Sequence, residues 1–429
     1  MAALDKPDWL TDDFLKSCLE SDGEQITQNV IEISHSIEHA VSPGNNYGSV
    51  MFRVNIIYKK LGSDSEHSLS LIVKAPIEQS QCSEEGKKLS NEGCMIEQRY
   101  YSEFISNTFD LMKHNIVPKH YKSPHPGCIV LEDLKSLGYE MVDRHKMLDF
   151  DHCQLYIKAS AKLHALSMVL YETRPEIFET VLNRSQDLLE LYEKITRFTV
   201  LGSFRCMATF LEGKSGCEKY LNILKEAIDN ELFLDVFEEN NHLNHPLVAL
   251  TQNDPWCANM MFKYDNNGNV IDIKIFDFQL VELSPPLKEF MTFVWISADQ
   301  NVRETKLNDL YKLYCKSLKA NLAELGYQKS IVLRDLESEI VTWSPLILYR
   351  ICMNVPVSLA DEKVQLKDYF NGNILEMESV KESPVYKTVF EGTTFNKLYL
   401  KFFQQIDKLG VFENIKKMLD QAKSKRNHV

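Results

Sequence analysis

Asp254, Asn259 and Asp277 are the residues whose types and spacing suit a chemical task. The first two lie in Leu250-Thr251-Gln252-Asn253-Asp254-Pro255-Trp256-Cys257-Ala258-Asn259. The third closes the β-forming run Val270-Ile271-Asp272-Ile273-Lys274-Ile275-Phe276 and opens Asp277-Phe278-Gln279. An acid, an amide a few residues on and a second acid at a strand end make the layout of a phosphotransfer site. Phosphoryl transfer needs one carboxylate to receive the attacking hydroxyl's hydrogen bond, and a carboxylate and an amide to hold metal ions that neutralise the phosphate oxygens. Asp254 suits the first role, and Asn259 and Asp277 the second.

The elements that must position them are legible nearby. Asp265-Asn266-Asn267-Gly268-Asn269 reads as a tight hairpin turn, because Asn and Gly accept positive φ. A calcium-loop reading of the same stretch fails, since the pattern wants Gly where the chain has Val270. Val50, Phe52, Val54, Ile56 and Tyr58 alternate with less apolar neighbours and predict a strand, led in by Gly44-Asn45-Asn46-Tyr47-Gly48-Ser49. A glycine-containing turn of this kind lets backbone N–H groups approach phosphate, although most such loops are plain turns. Leu69 to Lys74 predicts a second strand, and a lysine one strand after a phosphate loop matches the kinase lysine that contacts the nucleotide. The lysine needs an acid to hold it, and Glu97, Glu92 and Glu103 are candidates in a helical stretch.

At these residues the chain resembles the ecdysteroid kinase-like proteins of insects, within the choline kinase and aminoglycoside phosphotransferase group of protein-kinase-like folds. That family's pattern is His-Gly-Asp, a Trp, two Asn with an apolar tail, and later Asp-Phe-Gln. Asp254, Trp256, Asn259 and Asp277-Phe278-Gln279 keep it, while Gln252, Asn253 and Ala258 stand where the family has His, Gly and the first Asn. The resemblance implies an α+β, bilobal fold: a β-rich lobe at residues 1–131, a hinge at 132–135 and a large helical lobe at 136–429. It places the lysine's partner at Glu97 and an ATP-covering loop at Gly44, Asn46, Gly48 and Ser49, with Asn45 replacing an acid. It also makes Leu131, Asp133 and Leu134 the segment whose backbone meets adenine. Glu289-Phe290 stands where the family has an Asp-Leu pair that supports the catalytic loop. ATP and Mg²⁺ are the implied cofactors, and a small-molecule alcohol, an ecdysteroid or another steroid-like or detoxified hydroxyl compound, is the implied acceptor. The rival reading is a catalytically weak pseudokinase that binds nucleotide or a lipophilic ligand.

Composition sets the outer bounds. A chain of 429 residues exceeds the usual single-core limit, so two lobes or domains are expected. A net charge of −13 argues against a nucleic-acid binder, whose affinity comes from Lys and Arg on phosphates. No uninterrupted apolar run suggests a membrane span, and the start lacks the basic and apolar regions of a signal peptide. Ten cysteines without paired spacing read as free thiols, so a cytoplasmic monomer is expected.

Helical periodicity fills the rest. Thr11 followed by two acids predicts a capped helix across Phe14, Leu15 and Cys18, packed on the first lobe. Leu155, Ala159, Leu163 and Leu166 share a face of a helix over about 151–171, which also carries His164, read as a packed, hydrogen-bonded histidine. Val181 to Thr196 predicts another helix, leading to Phe198, Phe204 and Phe210 as walls for a hydrophobic acceptor or plain core. Further helices are expected from Leu287 through Trp295, across Leu307 to Leu318, and from Leu398 to Leu409. The basic run Lys423 to Arg426 reads as a solvated terminus.

Overall fold

The computed structural model describes residues 7–21, 30–41, 49–62, 65–77, 83–241, 245, 247–362 and 377–427. The chain is α+β and packs as two compact units. One holds Met1–Met141, Leu170–Arg184 and Met260–Val281, and the other Val142–Val169, Ser185–Asn259 and Glu282–Val429.

The amino-terminal unit is built on five antiparallel strands in the order β1-β2-β3-β5-β4: β1 Val30–His39, β2 Val50–Lys60, β3 Glu66–Ala75, β4 His120–Tyr121 and β5 Ile129–Glu132. Period-two burial of Phe52, Val54, Ile56 and Tyr58 turns one face of β2 inward, as their alternation in sequence requires. Those side chains pack with Leu71, Val73 and Val130 and with the helix Asp12–Glu20, which buries Phe14, Leu15, Cys18 and Leu19. Thr11 caps that helix by accepting the Phe14 N–H at 3.3 Å. β1 had no periodic apolar signal: Glu32, His35, Glu38 and His39 interrupt it, and pairing along β2 supplies the order instead.

A helix from Glu84 to Arg99 runs on through a π-helical turn, Tyr100–Ile105, into Ser106–Leu111. The same unit contains a second, three-stranded sheet in the order β6-β8-β9, from β6 Tyr139–Glu140, β8 Met260–Tyr264 and β9 Val270–Ile275. The β8–β9 turn is the expected one. Gly268 has φ of +82°, and Asp265 accepts the N–H groups of Asn267 and Asn269 at 2.9 and 2.8 Å.

The second unit is helical, with one two-stranded ribbon of β7 Ala249–Thr251 and β10 Glu282–Ser284. Its most apolar helix, Pro286–Ser297, is buried along almost its whole length, with Phe293 stacked on Tyr156 at 3.9 Å. The helix Leu336–Leu359 is long and apolar enough to cross a membrane, but 61% of its most apolar window is buried inside the protein. Core packing therefore accounts for its composition.

Two expectations need correction. The helix expected at Val181 to Thr196 is two helices, Glu176–Val181 and Gln186–Leu211. The chain leaves helical geometry at Leu182 (φ −94°, ψ 11°) and is extended at Ser185, which starts the second. The basic run at Lys423 belongs to the helix Val411–Asn427, where Lys423 pairs with Glu226 at 2.8 Å and Arg426 with Asp235 at 2.6 Å.

Leu71 sits in mid-sheet opposite Val54 and is fully buried, so Leu71→Ala is expected to cost about 2–5 kcal/mol. Denaturant unfolding checks this. The midpoint should fall while the slope stays unchanged.

Candidate active site

The amino-terminal unit brings Lys74, Glu97 and Asp277 together. Lys74 lies near the end of β3, and its Nζ donates to Glu97 Oε2 at 2.5 Å and to Asp277 Oδ1 at 2.7 Å. Lys74 and Glu97 are buried, with side chains 7% and 1% exposed, while Asp277 keeps 26%. Burial alone would lower the lysine's pKa, but the two carboxylates outweigh it and raise it above the ordinary value. Burial pushes the Glu97 carboxyl up, with Lys74 pulling the other way and Asp277 adding to the push.

Glu92 and Glu103 do not share this cluster: Glu92 pairs with Arg99 at 3.5 Å, and Glu103 accepts from Ser102. The three residues after β9 are each held by the same helical stretch. Asp277 takes a left-handed φ of +65°, a conformation that costs a non-glycine residue on the order of 1–3 kcal/mol. Phe278 stacks on Tyr100 at 4.0 Å and donates its N–H to Glu97 Oε1 at 3.3 Å. Gln279 lies so close to the helix that a Cβ at Gly93 would stand 3.1 Å from its Oε1. Sequence reasoning missed Gly93 and Tyr100. A glycine inside a helical stretch, unfavourable for helix formation, was the available signal for a close approach.

Of the loop expected to cover nucleotide, Gly44, Asn46 and Gly48 lie outside the described residues, and Ser49 is buried just before β2. Leu131, Asp133 and Leu134 are buried where β5 ends. The Asp133 carboxylate is taken up locally by Arg53 Nε at 2.7 Å, Ser70 Oγ at 2.9 Å and the Lys135 N–H at 3.2 Å.

In the helical unit, β7 delivers Gln252, Asn253 and Asp254. Asn259 Nδ2 donates to Asp254 through both its carbonyl oxygen and Oδ2, each at 3.0 Å. The short turn between them is closed by Trp256 N–H on Asp254 O and Asn259 N–H on Trp256 O, both at 2.9 Å. Asn259's amide nitrogen thus serves Asp254, leaving its Oδ1 as the oxygen donor. Under this loop lies Glu289, which accepts from the Gln252 N–H at 2.5 Å, Tyr156 Oη and Ser160 Oγ at 2.7 Å each, with His164 Nε2 at 3.4 Å. His164 is buried and bonded on its other side to Tyr314 at 3.0 Å, so it is packed as expected. Burial works to raise the Glu289 pKa, but the charge and hydrogen bond of His164 and the Tyr156 and Ser160 hydroxyls prevail and hold it at about 2.

An apolar pocket in this unit is lined by Phe198, Thr199, Gly202, Cys206, Met353 and Phe390 among others. The sequence flagged the Phe198 helix as an acceptor wall. Met353 and Phe390 were not foreseen.

Comparison with known proteins fixes the class as the small-molecule kinases, phosphotransferases of the kinase-like fold. The model of the ecdysteroid kinase-like family matches residues 43–327, more than half of the chain, and the chain belongs to that family. A solved structure described as a microcompartment-associated aminopropanol kinase aligns over 86% of this chain and 93% of its own, at 12% identity and a TM-score of 0.41. No curated protein matches.

Glu289 yields a pH prediction. Its folded-state pKa of about 2 lies below the ordinary 4.5, so the carboxylate contributes stability above about pH 4.5 that is lost as pH falls toward 2. The contribution is about 3 kcal/mol at neutral pH. Denaturant midpoints measured from pH 7 downward should fall more steeply for the parent than for Glu289→Gln. Parallel acid limbs would refute it.

Proposed function

We propose that this chain transfers the γ-phosphoryl group of ATP to a hydroxyl of a lipophilic alcohol, an ecdysteroid or another steroid-like or detoxified hydroxyl compound. The observation that carries the reading is the buried Lys74, held between Glu97 and Asp277. A lysine fixed in this way offers a constant positive charge to phosphate oxygens, as kinases require. Asp254 receives the acceptor hydroxyl's proton.

Mg²⁺ is a hard ion that takes oxygen donors and is held by one or two carboxylates plus phosphates rather than by a full protein cage. Among the described residues no group of three or more His, Cys, Asp or Glu forms such a cage. Asp277, partly exposed, and Asn259, through Oδ1, fit the open kind of site and would hold the metal. When bound, it neutralises charge on the phosphate oxygens.

The acceptor reading draws on the apolar pocket beside Phe198, whose lining suits a hydrocarbon body better than a choline-like cation, which would call for an acidic or aromatic cage. The nine described cysteines are free, which suits the reducing cytoplasm we assign to the protein. A second reading, a nucleotide-binding pseudokinase, is favoured by Gln252 and Asn253 at the head of the Asp254 loop.

ADP release across a panel of sterols and amino alcohols tests the reading. Turnover on a sterol, lost in Asp254→Ala and reduced at least a hundredfold in Lys74→Ala, is the expected outcome. Efficient turnover of choline with no response to any sterol would overturn the acceptor. A parent that binds ATP yet matches Asp254→Ala would establish the pseudokinase.

The metal assignment has its own check. Asp277→Ala is expected to abolish the Mg²⁺ dependence of nucleotide binding in a calorimetric titration, and an unchanged titration would remove Asp277 from the metal site.

A further inference from the structure

Asn253, directly before Asp254, has a φ of +63°. Glycine enters that region freely and asparagine more readily than most side chains, but for any residue with a Cβ it is not the resting state of the backbone. The residue on one side is already fixed, since the Gln252 N–H is held by Glu289. Something must hold Asn253 itself, because a relaxation of its φ would swing the Asp254 carboxylate.

The holder is Arg350, from the helix Leu336–Leu359. Its Nη2 donates to the Asn253 carbonyl oxygen at 3.3 Å and to its side-chain Oδ1 at 3.2 Å. Each bond is long, at the weak end of the range, yet the two act on one residue and resist the same rotation. Arg350 is itself anchored: Nη1 donates to Asn354 Oδ1 at 3.2 Å, one helical turn further on. Its printed acceptors, Asn253 and Asn354, are both neutral. The planar fork of a guanidinium is what allows one side chain to reach both residues at once, which a lysine ammonium does less rigidly.

We propose that Arg350 is a positioning residue, locking Asn253 in its left-handed turn and so aiming Asp254. Its catalytic consequence rests on the phosphotransfer reading of Asp254, whereas the lock itself does not. A glycine at 253 would need no such lock, and this gives the proposal a signature that general structural support lacks: the cost of losing Arg350 must depend on what stands at 253.

The experiment compares the parent, Arg350→Ala, Asn253→Gly and the double variant by hydrogen exchange of the peptide spanning 249–259 and by turnover. Arg350→Ala is expected to speed exchange in that peptide and to lower kcat roughly ten- to a hundredfold, with KM for ATP unchanged, as for a catalytic group displaced by about 1 Å. In the Asn253→Gly background the same change should cost no more than about twofold in kcat. Arg350→Gln and Asn253→Ala serve if Arg350→Ala does not fold, and each should speed exchange in the same peptide. Equal costs in both backgrounds, or no change in exchange, would overturn the lock. If exchange shows the coupling while the parent turns over no faster than Asp254→Ala, the lock stands and the phosphotransfer reading falls. If the parent is active and exchange shows no coupling, the lock falls and that reading stands.

Discussion

A cation enclosed with two carboxylates is the interaction on which the amino-terminal unit is organised. Burying an ion costs several kcal/mol unless partners compensate it, and removing one partner from such a group costs on the order of 3–5 kcal/mol. Lys74 therefore fixes more than itself. It requires β3 to end where it does, the helix Glu84–Arg99 to present Glu97, and the chain after β9 to enter a strained conformation at Asp277. The strain is sustained because Phe278 and Gln279 are gripped by that same helical stretch.

The helical unit solves a related problem with the opposite sign. Glu289 is a buried carboxylate that collects donors from a strand end, a neighbouring helix and a histidine. A carboxylate with this many donors does not need a formal cation at its side. It ties the backbone at Gln252 to the helices Phe150–Thr173 and Pro286–Ser297, so the loop bearing Asp254 inherits the rigidity of the core. Glutamate in place of a shorter acid keeps the charge and adds one methylene of reach.

How much of this was legible follows from what each feature depends on. Strands β2 and β3, the Thr11-capped helix and the turn after β8 were readable because their signals are local: alternation, a capping hydroxyl, and residues that accept positive φ. The resemblance to a kinase-like family at Asp254, Asn259 and Asp277 pointed to the right family and supplied Glu97. Strand β1 was not readable, since its polar residues follow no period and its order comes from a neighbour distant in sequence. Nor was the split at Leu182, where apolar periodicity persists but the backbone does not. Contacts such as Glu289 with Gln252, or Arg350 with Asn253, join residues tens of positions apart and leave no trace in spacing. That Leu170–Arg184 and Met260–Val281 pack with the amino-terminal unit is likewise a fact of three-dimensional contact, not of chain order.

The π-helical turn at Tyr100–Ile105 has a historical meaning. Such a turn accommodates one residue more than an α-helix of the same length, and the Ser106 N–H accordingly reaches back to Tyr101 O. Deleting any one residue within it would let the segment wind as plain α-helix, turning everything beyond by about 100° relative to Glu97. The lineage of this protein therefore tolerates substitutions here far better than a gap of one. In related chains, a single-residue deletion between Arg99 and Ser106 would mark those whose helix meets the Asp-Phe-Gln segment in a different register.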